Sequence, residues 1–251
     1  MGLVYQANKG LIKNYNEETI KWSKALIEPG RSESEVKLAS LTEAEVDAIL
    51  LKLDILASEK ANPAVATIVA EEAESILVAV RLVKIETKQA FGGILGSGSN
   101  LDIKWLRPKD VGGTLLNPLA TANKGLYGGT SAAVYTWLQT FTANTSDDLI
   151  PSQTTAEEAA VIHLGGIDPI EVPKLESIRF TLAGIPSPAQ SLASNIRKSL
   201  GTDDVVVVRF EKPVIVGPEK TQLIDVMPMI TGDSKFQLLS FLIAKASDLT
   251  L

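Results

Sequence analysis

Apolar and polar positions follow two different rhythms along this chain. Over residues 42–58, Val46, Ile49, Leu50, Leu53 and Leu56 recur at the 3.6-residue spacing of a single helix face. Thr42 and Glu45 precede them in capping-box order, in which each side chain takes the other's backbone N–H. Asn62 and Pro63 then restart a helix as cap and first residue. Val65, Ile68, Val69, Ala73, Ile76, Leu77 and Val80 continue one stripe along it, with Glu71, Glu72, Glu74 and Ser75 largely off that face. Where this helix stops is ambiguous, because residues 76–86 (ILVAVRLVKIE) suit a strand as well.

Past residue 90 the runs become short and β-branched. Residues 203–216, DDVVVVRFEKPVIV, read as a strand buried on both faces or paired on both edges. Residues 175–183, 222–230 and 236–246 read as its partners, and 134–142 (VYTWLQTFT) as a further strand. Two short helices are expected among the strands. One opens on Thr155 and Glu158 and ends near His163, before Gly165 and Gly166. The other opens on Ser187 and Pro188, carries Leu192, Ile196 and Leu200, and closes at Gly201, as capping rules favour. The expected class is α+β: a helical N-terminal part, then a β-rich part with a mixed or antiparallel sheet core and inserted short helices.

Three segments follow. Residues 1–34 form an N-terminal arm and linker, the latter being GRSES at 30–34; residues 35–90 form the helical part, and 91–251 the β-rich core. In the arm Leu11, Ile12, Tyr15, Ile20 and Trp22 are scattered among charges, with helical spacing only over 17–27. An arm of this kind takes its order from contact with something else, which makes those five residues the candidates for contact between subunits.

Composition narrows the function classes. With 45% hydrophobic and 22% charged residues and a mean hydropathy of +0.15, the chain reads as a soluble globular protein. A net charge of −6, spread evenly, and 5% aromatic residues argue against strong direct nucleic-acid binding, which needs a basic face or stacking rings. Without cysteine, zinc thiolates, disulfides and cysteine nucleophiles are excluded. The first residues lack the apolar core of a signal peptide, and Gln6 stands where a myristoylation signal needs Ser or Thr. The most apolar window, 64–85, is broken by Glu71, Glu72, Glu74 and Arg81, so no membrane span is expected and synthesis in the cytoplasm is.

No motif carries chemistry. The glycines of 92–98 lack a third glycine in dinucleotide spacing, since Leu101 stands there; neither they nor GLYGGTS at 125–131 precede the Gly-Lys-Ser/Thr of a phosphate loop. His163, the one histidine, sits among apolar neighbours and reads as a packed residue with one hydrogen bond rather than a base. Asp147-Asp148 and Asp203-Asp204 read as turn residues rather than cation ligands. Ser34 and Lys37 match Ser-x-x-Lys without its partner motifs, Asn144-Thr145-Ser146 is a glycosylation sequon, and Glu17-Glu18 and Glu71-Glu72 read as solvated helix faces. No catalytic, cofactor or metal residue is assigned.

An interaction protein needs surface and shape rather than placed acids and bases, and long Gly/Thr/Ser-rich stretches at 92–100 and 106–130 suit a chain ordered by its neighbours. The expectation is therefore a self-assembling structural protein, a coat or shell subunit of capsid type, and not an enzyme. Its partners would be copies of itself and other structural proteins of a virion or protein shell, with no cofactor. The alternative is an enzyme or small-ligand protein with a site built from scattered carboxylates and Gly-rich loops.

Overall fold

The computed structural model describes residues 2–10, 41–92, 100–107, 110, 137–169, 175–192, 196–198 and 205–249. Its helical part comprises α1 (Leu3–Asn8), α2 (Glu43–Glu59), α3 (Pro63–Glu71) and α4 (Ala73–Thr87). The capping box forms in full: Glu45 N–H donates to Thr42 Oγ1 at 3.2 Å, and Thr42 N–H to Glu45 Oε2 at 2.8 Å. Asn62 Oδ1 caps α3 by accepting from Ala64 N–H at 2.9 Å. The stripe expected on one helix is carried by two, because the chain breaks at Glu72 (φ −100°, ψ 9°). Residues 76–86 belong to α4, so the ambiguous run is helix.

Eleven strands follow among the described residues: β1 (Leu101–Trp105), β2 (Trp137–Phe141), β3 (Asp147–Thr154), β4 (Ala160–Pro169), β5 (Leu175–Leu182), β6 (Ile185–Pro186), β7 (Gln190–Ser191), β8 (Ile196–Lys198), β9 (Val205–Val216), β10 (Thr221–Pro228) and β11 (Gly232–Lys245). A short helix, α5 (Ala246–Leu249), ends the described chain. The first sheet has the order β1-β11-β4-β9-β8, and β2 also pairs with β11; the second has the order β3-β10-β5-β6, and β7 also pairs with β5. Every strand pairing is antiparallel. The class is thus broadly α+β, with antiparallel sheets dominant.

The pairing is nested. β1 joins β11, β3 joins β10, β4 joins β9 and β5 joins β6, and the successive pairs alternate between the two sheets. A long hairpin wound in this way is a double-sheet jelly roll. Opposite halves of β11 are held by β1 (Leu101↔Lys245 to Trp105↔Phe241) and β2 (Trp137↔Phe236 to Phe141↔Gly232). β11 is thus paired with β1 at one end and with β2 at the other.

Both inserted helices are corrected to extended chain. Residues 160–167 are buried in turn on two sides. Ala160, Ile162, Leu164 and Ile167 join the helix-side core, and Val161 joins the core between the sheets. A central strand covered on both faces shows a continuous apolar run and no period. Thr155 does not cap: its hydroxyl bonds Gly217 and Lys220 in the turn before β10, while Glu158 pairs with Lys245. Ser187 likewise bonds Phe180 of β5 through its backbone N–H, at 2.7 Å, and the described residues after it add short strands to β5 and β9.

Gly165 and Gly166 answer to packing rather than to a helix end. A Cβ at Gly165 would lie 2.1 Å from Val208 O, and one at Gly166 would lie 2.0 Å from the Phe236 ring. The strand accordingly bulges between His163 and Gly165. The result is three layers, with the helices on one sheet and that sheet on the other. Trp105 shows how the helix side locks: its Nε1–H donates to Leu56 O at 2.8 Å, and its ring stacks 4.2 Å from Phe241.

Candidate functional site

Polar side chains gather in four places, one between the sheets and three toward the surface. Between the sheets, β4 turns His163 inward beside its cross-strand neighbour Ser240 on β11. Ser240 Oγ lies 2.7 Å from His163 Nδ1, and Gln222 Oε1 on β10 lies 2.8 Å from Nε2. A carbonyl oxygen only accepts, so Nε2 carries the proton and Nδ1 accepts from the serine hydroxyl. The Phe180 ring of β5 lies 5.3 Å away. The reading of His163 as a packed residue fits, with two hydrogen bonds in place of one.

This chain of hydroxyl, imidazole and amide has the connectivity of a nucleophile, a base and an orienting group. Its surroundings deny it that role. His163, Ser240 and Gln222 are each fully buried, and a neutral amide gives an imidazolium no counter-charge. Burial pushes His163 down to about 4, with the Gln222 hydrogen bond opposing. The arrangement ties one sheet to the other.

Asp148 and Asp225 face each other across the β3–β10 register on the outer side of the second sheet, with Arg179 of β5 beside Asp225. Arg179 donates from Nε at 3.1 Å and from Nη2 at 3.0 Å to Asp225 Oδ2. Desolvation, a shared hydrogen bond with Asp225, and the charges of Asp225 and Asp147 raise the Asp148 pKa. Both Asp147 and Asp148 thus lie in a strand rather than a turn. Among the described residues no group of three or more His, Cys, Asp or Glu is arranged to hold a metal.

At the opposite face of the molecule, Lys60 closes α2 with its ammonium 5.1 Å from the Trp105 ring centroid. Burial, aided by nearby Arg107 and opposed by Glu59, brings its pKa down to about 8. Nearby, Lys104 Nζ pairs with Asp110 at 2.7 Å, and Arg107 N–H donates to the same carboxylate at 2.9 Å.

Glu71 is exposed, as the pattern indicates, but Glu72 is not part of a solvated face. Glu72 is buried at the break between α3 and α4. Arg209 of β9 reaches it from Nε at 2.9 Å, and reaches Glu71 from Nη1 at 2.6 Å. Sequence reasoning missed this link because the two ends lie far apart in the chain; the lone arginine after the valine run was the available signal.

Of the arm, the described residues 2–10 dock on the helical part. Asp54 accepts from Gly2 N–H and Val4 N–H, both at 2.8 Å, while Asn8 Nδ2 donates to Ala70 O at 2.8 Å. The five contact candidates Leu11, Ile12, Tyr15, Ile20 and Trp22 lie outside the described residues, as do Glu17-Glu18, Ser34, Lys37, residues 93–99 and 125–131, and Asp203-Asp204. Large apolar side chains are exposed at Leu3, Leu51 and Ile55 on the helical layer, at Ile185 after the β5 turn, and at Met229 and Ile230 between β10 and β11. Among the described residues no helix is long and apolar enough to cross a membrane.

No family model and no curated protein matches the sequence. Among solved structures, a family GH115 4-O-methyl-alpha-glucuronidase with specificity for decorated arabinogalactans aligns at 12% identity and a TM-score of 0.18, over 96% of this chain and 33% of that one. A TM-score at that level carries no argument.

Proposed function

We propose that the protein is a self-assembling structural subunit, of the coat or shell type, acting through contacts with copies of itself and with other structural proteins of the same virion or shell. The observation that carries this reading is the nested, two-sheet strand pairing. A jelly roll is the architecture of many viral capsid domains, and of lectins and cupins as well. Fold alone does not choose among them. Two features favour assembly: the inward polar group is enclosed on all sides, and apolar side chains stand exposed on the helical layer and at both ends of the sandwich. On this reading residues 1–34 are the arm, and Leu11, Ile12, Tyr15, Ile20 and Trp22 contact neighbouring subunits. The net charge of −6 leaves the genome of such a shell to other proteins or to local lysines.

The test is the mass of the purified protein in solution, measured by light scattering over a range of concentration and salt. Assemblies many times the 26.8 kDa of one chain are expected. A monomer at every concentration and salt would sink the proposal and turn attention to a ligand-binding role. Because α1 is docked on its own helices, the informative truncation removes residues 11–29 and leaves α1 in place. Assembly should fail while the thermal transition stays within a few degrees.

A further inference from the structure

His163 lies wholly enclosed between the two sheets, and among the described residues no charged group faces it from any element around it. β11 presents Ser240, β10 presents Gln222, β5 presents the Phe180 ring, and β9 places Val214 at its cross-strand position. The carboxylates of Asp148 and Asp225 lie on the far side of the second sheet, where Arg179 engages Asp225. A charged imidazole at this place therefore has neither water nor a counter-ion.

The corner beside it is built to part. Gln153 of β3 lies opposite Gln222 in the β10–β3 register. It is buried, and neither its amide nitrogen nor its amide oxygen has a hydrogen-bond partner; the same is true of Gln222 Nε2. Such groups gain partners when water reaches them. Among the described residues β3 is also an edge strand, bonded in its sheet to β10 alone, with register shifts on both sides of Ile224.

We propose that His163 is an acid-operated release between the sheets: protonation puts an uncompensated charge in the core and opens the corner formed by β3, β4, β10 and β11. This holds whether or not the chain assembles. The direction follows from linkage. Burial holds the ring at about 4 against an ordinary 6.5, so its contribution is complete above pH 6.5 and is lost as pH falls toward 4.

Amide hydrogen exchange of the full-length chain, corrected for intrinsic pH dependence, tests this in the wild type and in His163→Gln. Between pH 6.5 and about 4, opening of β3 and β10 in the wild type should rise by roughly 80-fold, approaching tenfold per pH unit between those values, while the variant stays flat. An equal rise in both proteins would overturn the proposal. Should His163→Gln fail to fold, the wild-type ring decides the matter. It is the chain's one histidine and gives a single imidazole carbon resonance by NMR. Half-titration below pH 5 is expected, and a midpoint at or above 6 rules the release out.

Discussion

The two faces of the central sheet are held by different physics. On the helix side the apolar core is rimmed by ion pairs: Arg209 with Glu71 and Glu72, Lys84 with Glu45, and Lys52 with Asp102. On the other side the core between the sheets contains a neutral polar relay, with its charges kept to the outer surface. Ion pairs can rim the helix side because helix termini and the break at Glu72 bring backbone and side-chain donors to the edge of that core. Two sheets packed face to face have their backbone bonds already spent within each sheet, so a polar group between them bonds through side chains, as His163 does, or stays without a partner, as Gln153 does. Acid should consequently loosen the sheet-to-sheet contact first and the helix-to-sheet contact later.

Breaking the helix side at its most enclosed pair should have the largest effect. Glu45 caps α2, accepts from Lys84 Nζ at 2.7 Å and from Phe91 N–H at 3.1 Å, and is buried. Burial works against its ionisation, but the bonds from Lys84, Thr42 and Phe91 outweigh it and hold the pKa below the usual value. Lys84→Met leaves that buried carboxylate without its counter-charge, held only by the Thr42 and Phe91 N–H groups, and should cost about 3 kcal/mol in urea unfolding at pH 7. The sign gives a second check. A lowered carboxyl pKa contributes stability above its unfolded value of 4.5 that is lost as pH falls, so the penalty of the variant should shrink in acid.

The sheet side is sharpened by a pair of variants at the Gly166–Phe236 contact. Gly166→Ala should cost about 1–3 kcal/mol by overpacking. Adding Phe236→Leu to it should cost less than the two single changes summed, because the clash is with the ring. Simple additivity would show that the strand, and not the ring, sets the limit.

The smallest effect belongs to the outer surface. A raised Asp148 pKa contributes stability at low pH that is lost as pH rises through the folded value. Asp148→Asn should therefore be neutral or stabilising by under about 1 kcal/mol at pH 7, and a clear loss of stability there would refute the reading of repulsion across β3 and β10.

How much of this was legible in the sequence depends on how local each cause was. The helix α2 could be read because its cap, its spacing and its end lie within one stretch. The strand β9 could be read from its valines. β4 could not, because burial on two faces erases the period, and Thr155 offered a cap that the fold uses to bond Gly217 and Lys220 instead. His163 was recognisable as packed from its neighbours. Its partners Ser240 and Gln222, like the pairing of Glu72 with Arg209, come from distant strands that meet only once the hairpin is wound.

The division of β11 between β1 and β2 has a consequence for engineering. Leu106 N–H is bonded to Ser240 O, and Trp137 is paired with Phe236, so Leu106 and Trp137 are both pinned to β11. Their partners are four residues apart along it, about 14 Å. Ring closure there is already arranged by the sheet, and each doubling of the chain length between them adds only about 0.6 kcal/mol of entropic cost. Length added between Leu106 and Trp137 should therefore carry only a small closure cost.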